Sequence, residues 1–146
     1  MQQVNNTKKV NVLGDANVYI ILNLSDKQNL GKPSLFSGGS SANVASGLSK
    51  LGIDVSFFGS LGNDMYGKHV VDEMKVDGID VSNLELLNNY STAMVIGVVE
   101  DSSERHFFLW PPEEGAHNKY TLDDMSTESL LTVSYTHLTL PTNREV

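Results

Sequence analysis

The sequence contains no cysteine. That absence excludes disulfides, thiolate metal sites and a cysteine nucleophile, and it fits a reducing compartment such as the cytoplasm. Positive charge is also scarce. Lys and Arg number 10 against 18 Asp and Glu, a formal net charge of −8. Nucleic-acid binding is not expected, because no basic excess is present to neutralise phosphates, and Lys8-Lys9 is the only basic pair. Long apolar runs are missing as well. No stretch approaches the roughly 20 residues that cross a bilayer. The opening MQQVNNTKKV has no apolar core of the kind a secretion signal needs.

What is present suits a single globular domain. The 146 residues are 40% hydrophobic and 19% charged, and a chain of about 150 residues buries most of its unfolded surface. Val10 to Leu13 reads as a first strand, placed centrally, and Val18 to Leu24 as a second extended piece. SDKQNLGKP is a loop, and Ser34 to Phe36 a short extended approach to a glycine pair. Ala42, Val44, Ala45, Leu48 and Leu51 carry a helical period, closed by Gly52. Val55 to Phe58 reads as a buried strand. Asp64 is placed to cap a helix whose apolar face is Tyr66, Val70, Val71 and Met74, and Gly78 closes that helix. Val81 begins a short strand or turn. Thr92 to Val99 and Arg105 to Trp110 flank a polar loop and read as a hairpin, ended by Pro111-Pro112. A helix start is expected over 121–131. Strands alternating with helices predict an α/β sheet with crossovers, and the interrupting hairpin predicts a small second sheet.

Two glycine-rich segments invite a chemical reading. GGSSANVASGLSKLG, residues 38 to 52, places Gly38-Gly39 before a helix, where backbone amides and the positive end of the helix dipole can meet a ligand. Asn43 falls in the first helical turn. Spacing alone fits a ligand loop and an ordinary capped turn equally. Gly62 to His69 is a near miss to the phosphate-binding P-loop, but it ends in His69 where that motif needs Ser or Thr, and Met65 and Tyr66 are bulky for a phosphate cradle. It reads as a turn capped by Asp64. No carboxylate pair or triad is visible. His69, His106, His117 and His137 lack metal-ligand spacing, so neither a catalytic residue nor a metal site is assigned.

Together these pieces resemble the N-terminal half of the PfkB/ribokinase family of sugar kinases, over about Val10 to Leu122. The resemblance rests on Gly38, Gly39, Asn43, Ala45, Gly52 and Gly62, on Gly59 to Gly67 as the family's GxxGxDxxG segment, on Asn88 to Trp110 as its lid hairpin, and on Gly115-Ala116-His117-Asn118 after it. It implies an incomplete three-layer, ribokinase-like α/β fold with a small β-sheet lid. Residues 1–132 would form the N-terminal part, with lid segments at about 18–37 and 90–112. It implies ATP-dependent phosphorylation of a sugar or related alcohol by the full-length parent, with ATP as MgATP. Gly38, Gly39, Asn43 and Asn17 would contact sugar hydroxyls, and Ile20, Val95 or Phe107 would cover them. The family usually carries Asn-x-Asp where this chain has Asn17-Val18-Tyr19, and Tyr19 cannot accept hydrogen bonds as a bidentate carboxylate does. The candidate substrate-binding set is therefore Asn17, Tyr19, Gly38, Gly39, Asn43 and Phe107.

The family's catalytic Asp and anion hole belong to a GAGD-like motif that is absent here. VSYTHLTLPTNREV resembles translated sequencing-adapter read-through, so the native sequence is expected to stop near Thr132, leaving 133–146 foreign. The chain alone is then expected to be inactive. A homodimer through the lid is a further implication. A nucleoside kinase of the same family and a non-catalytic binding or dimerisation module are the alternatives.

Overall fold

The computed structural model describes residues 9–24, 32–100, 105–111 and 114–121. In chain order these form β1 (Val10–Leu13), β2 (Asn17–Asn23), β3 (Ser34–Gly38), α1 (Ser40–Lys50), β4 (Val55–Gly62), α2 (Met65–Val76), β5 (Asp80–Leu87), β6 (Met94–Val99), β7 (Arg105–Trp110) and a 3-10 turn at Ala116–Asn118. The expected helix start, apart from Thr121, and the tail from 133 lie outside the described residues.

Two sheets result. β1, β4 and β5 form a parallel sheet in the order β1-β4-β5, so β4 holds the centre of the described sheet, where β1 was expected. The second sheet has the order β3-β2-β6-β7. β2 pairs antiparallel with β3 and parallel with β6, and β6 and β7 form the expected antiparallel pair.

β4 is buried along its whole length and runs four residues past Phe58, through Gly59-Ser-Leu-Gly62. Its glycines look like turn residues in sequence, yet Gly62 is in the strand because the chain at Thr92 passes close by. A Cβ on Gly62 would stand 2.5 Å from the Thr92 amide nitrogen. β5 is correspondingly a full eight-residue strand rather than a turn. Pairing with the buried β4 overrides the weak strand signal of Ser82, Asn83 and Glu85. At the amino ends of this sheet, Asp80 of β5 accepts from Lys9 at 2.6 Å and from Ser56 of β4 at 2.8 Å. These partners hold its carboxyl well below the ordinary aspartate value.

α1 and α2 cover one face of the parallel sheet and reach the second sheet. The core joins Val12, Val55, Phe57 and Leu61 to Ala42, Ala45, Val70, Met74, Ile79 and Val18. α1 lies close because its buried residues are small: Ser41, Ala42 and Ala45. Val44 and Leu51, read from periodicity as core, are exposed, Leu51 at 79%. On the other face Leu13 and Phe58 meet Tyr120.

Asp64 ties the two sheets together. It caps α2 by accepting the Gly67 amide at 2.8 Å, as its sequence position predicts. Its carboxylate also accepts the Thr92 amide and the Thr92 hydroxyl, each at 2.8 Å. The same hydroxyl oxygen accepts the Gly62 amide at 3.0 Å. One carboxylate and one buried threonine thus lock the end of β4, the start of α2 and the approach to β6. Burial opposes the charge on Asp64, but the donors from Thr92 and Gly67 outweigh it and hold its pKa below the ordinary value.

Asp64→Ala removes the cap and strands the Thr92 donors, and it should cost about 2–4 kcal/mol of stability, read by urea unfolding of the 146-residue chain. The unfolded chain takes up this proton first as pH falls. Asp64's contribution is therefore complete above the ordinary value of 3.8 and lost as pH drops through the lower native value. The urea midpoint should therefore fall as pH drops below about 3.8, and Asp64→Asn should flatten part of that slope.

Candidate functional site

Ligands of open α/β sheets gather at the carboxyl ends of the parallel strands, where the chain changes direction. Here that is the turn from β1 into β2. After Leu13 the chain passes Gly14, Asp15 and Ala16 and enters the second sheet at Asn17. β3 returns antiparallel with Gly38 opposite Asn17, which brings the glycine pair beside the same turn. Gly39 has φ 106°, a conformation glycine adopts freely. A side chain there would also strike Asp15, its Cβ 2.7 Å from the Asp15 carbonyl oxygen.

α1 starts directly after Gly39, which has no side chain to cap it. Asp15 does so instead. Its carboxylate accepts the Ser40 amide at 3.1 Å, the Ser40 hydroxyl at 2.7 Å and the Ser41 amide at 3.2 Å. Its carbonyl accepts the Ala42 amide at 3.2 Å. The first three amides of the helix are therefore occupied from within. Burial opposes ionisation of Asp15, yet the donors of Ser40 and Ser41 prevail and keep its pKa below the ordinary value. A phosphate would have to displace a carboxylate that is already bound. The glycine pair is left as a close-packed, uncharged surface suited to hydroxyls.

The structure brings Asn17, Tyr19, Gly38 and Gly39 together. Asn17 is 8% exposed, and its Oδ1 is buried with no hydrogen-bond partner among the described residues. The Tyr19 ring lies against Gly38. Asn43 sits one helical turn beyond Gly39 and is exposed. It borders a cleft of about 510 Å3 between α1, α2 and β3, which Ser37, Glu73 and Asp77 also line.

Phe107 is farther off, on β7 at the other side of β6. The pairings Ile21 with Gly97 and Gly97 with Phe107 put it on the same sheet face as Tyr19, 56% exposed. Val95, paired with Tyr19, shares that face. Ile20, expected to cover the site, alternates to the opposite face.

Sequence reading missed Asp15, Ser40 and His117. No local pattern marks Asp15 as the cap of a helix that begins 25 residues later. His117 lies on the 3-10 turn and is near enough to Asp15 to feel its charge. Burial lowers its pKa, and the Asp15 charge partly offsets this. Ser60 of β4 anchors the turn by donating to the Ala116 carbonyl.

These residues do not fit a triphosphate. The helix α1 amides belong to Asp15, and in the P-loop near miss the Gly67 amide belongs to Asp64. Among the described residues no group of His, Asp and Glu could hold a metal ion, and no helix is long and apolar enough to cross a membrane.

A fructokinase of Salmonella typhimurium is 36% identical over 99 residues, which is 68% of this chain and 31% of that protein. A guanosine-inosine kinase of Exiguobacterium acetylicum is 33% identical over 79 residues, 54% of this chain and 26% of that protein. The structure of a fructokinase with bound ATP from Xylella fastidiosa superposes with a TM-score of 0.76 at 23% identity, covering 90% of this chain and 38% of that one. The chain thus spans well under half the length of these relatives, and its fold is the ribokinase-like α/β fold, here incomplete. The model of the pfkB family of carbohydrate kinases matches residues 7–143, and the chain belongs to that family.

Proposed function

We propose that this chain supplies the acceptor-binding face and lid of a cytoplasmic kinase that moves the γ-phosphoryl of ATP to a hydroxyl of a sugar or related alcohol. The carrying observation is the occupation of the α1 N-terminus by Asp15. It turns a loop that resembles a phosphate site into one that offers uncharged glycine backbone to neutral hydroxyls. Asn17 and Asn43 would orient the acceptor. β2, β3, β6 and β7 would shield it, which protects a phosphoryl donor from water. The nucleotide, with its magnesium, would be held by parts outside this chain, because the described residues offer it no anion site. The sequence holds no GAGD-like motif to supply the general base and anion hole that the family resemblance implies, so the 146 residues by themselves would bind the acceptor without turning it over.

A nucleoside acceptor is the second reading. The match to a guanosine-inosine kinase favours it, as does the aromatic character of the face that holds Tyr19, Phe36 and Phe107. Titration of the chain with D-fructose, D-ribose and inosine, followed by NMR, separates the two readings. We expect one of these probes to bind, and Asn43→Ala to weaken it about fivefold, the worth of one hydrogen bond. No ADP should form with ATP present. Binding that ignores Asn43→Ala would remove that residue from the site, and ADP formation above a mock preparation would overturn the inactive-half reading.

The lid would also join two copies. β7 ends its sheet and exposes Phe108 at 61% and Trp110 at 49%, an apolar edge that soluble proteins rarely leave bare. Light scattering should give a dimer mass for the chain and a monomer mass for Phe108→Glu. An unchanged mass would overturn the lid dimer.

A further inference from the structure

Gly38 of β3 stands opposite Asn17 of β2, and the space of its missing side chain is already taken by another residue's ring. A Cβ on Gly38 would stand 2.0 Å from Tyr19 Cε2 and 2.1 Å from Tyr19 Cδ2. The tyrosine leans diagonally across the ladder, since its direct partner is Phe36 and that of Gly38 is Asn17. Asn17 borders the same space, its Oδ1 3.1 Å from that Cβ position. This oxygen is sealed from solvent and lacks a hydrogen-bond partner among the described residues.

A ring over a glycine is ordinary packing in a β-sheet. A buried amide oxygen with no donor beside it is not, because it loses water and gains nothing. Tyr19 is half-buried and lies on the face opposite the core residue Val18. Rotation of its side chain therefore moves the ring toward solvent, not into the core.

We propose that Tyr19 is the gate and specificity determinant of this face. As the structure stands, its ring covers Gly38 and closes off Asn17. An acceptor is held only when the ring swings away, so that a hydroxyl of the acceptor donates to Asn17 Oδ1 and its carbon skeleton rests on Gly38. The face selects acceptors that can displace an aromatic ring with an apolar surface of their own while presenting a hydroxyl donor. Small, fully hydrated polyols are disfavoured. The proposal rests on the reading of this face as the acceptor site.

The open arrangement is then a minor state, populated at about 10% or less, and apparent affinity is reduced by that fraction. The test uses the 146-residue chain, Tyr19→Ala and Tyr19→Phe, each titrated with D-fructose, D-ribose and inosine. The Gly38 α-proton shifts, which report the ring above them, are read before any probe is added. The proposal expects ring-shifted Gly38 protons in the parent chain and in Tyr19→Phe, and their loss in Tyr19→Ala. It also expects Tyr19→Ala to bind its preferred probe about tenfold more tightly than the parent does, with Tyr19→Phe unchanged. Unshifted Gly38 protons in the parent would overturn the closed arrangement. A shifted parent whose Tyr19→Ala variant binds equally or more weakly would overturn the gate and make Tyr19 a wall or a contact, leaving the acceptor site intact. Shifted protons with no binding of any probe by any of the three chains would overturn the acceptor-site reading, and the gate with it.

Discussion

A helix that opens on glycine has no side chain of its own to receive its first amides, and buried amides left without acceptors are costly. In this chain the deficit at Gly39 is met by Asp15, which reaches α1 from the turn between the two sheets. The rest of the site follows from that contact. It fixes α1 against the end of β1 and requires the glycine pair to pass tightly over the backbone of Asp15 and Ala16. It also fills the dipole end of the helix with a resident negative charge. A loop whose composition suggests anion binding is thereby made unfit for it, and what remains is neutral backbone beside a buried asparagine.

The second constraint is the Asp64–Thr92 lock. The two sheets share little core, and the chain crosses from β5 to β6 through a turn with few apolar residues. The fully buried Thr92 satisfies the end of β4 and the cap of α2 together, so the second sheet is held at a defined place over the carboxyl ends of the first. Both acidic hubs are ionised against the cost of their burial because each gathers several donors. In both cases a short polar contact does what a larger apolar interface would otherwise do. It places one sheet against another with a definite register while leaving the face that carries Tyr19, Val95 and Phe107 uncovered.

Much of the architecture was legible from local patterns. The glycines at 52 and 78 end their helices with positive φ, and Asp64 caps α2 from its position one residue before the helix. The paired strands β6 and β7 carry their β-branched and aromatic residues in plain view. The two strand boundaries that differ share one cause. From sequence β5 reads as short and β4 as ending early, because Asn83, Glu85 and the glycines of Gly59-Ser-Leu-Gly62 weaken strand propensity. Their pairing partners, distant in sequence, supply what propensity lacks. Val44 and Leu51 matched the helical period but face outward, because α1 approaches the sheet along its small residues.

Asn17 and the tyrosine at 19 stand out only through the family resemblance; by itself the sequence determined the order and type of most elements, the glycine pair and the place of Asn43 in the first helical turn after it. Each of these is written within one turn or one strand, where spacing and side-chain chemistry act directly. Only the tertiary structure decided which residues meet. It carried the Asp15 carboxylate to a helix 25 residues away, set Phe107 on the face of Tyr19 and Ile20 on the other, and laid the Tyr19 ring over Gly38. Such contacts depend on strand register and crossover geometry, where a shift of one residue turns every side chain to the opposite face, and no local pattern records that choice.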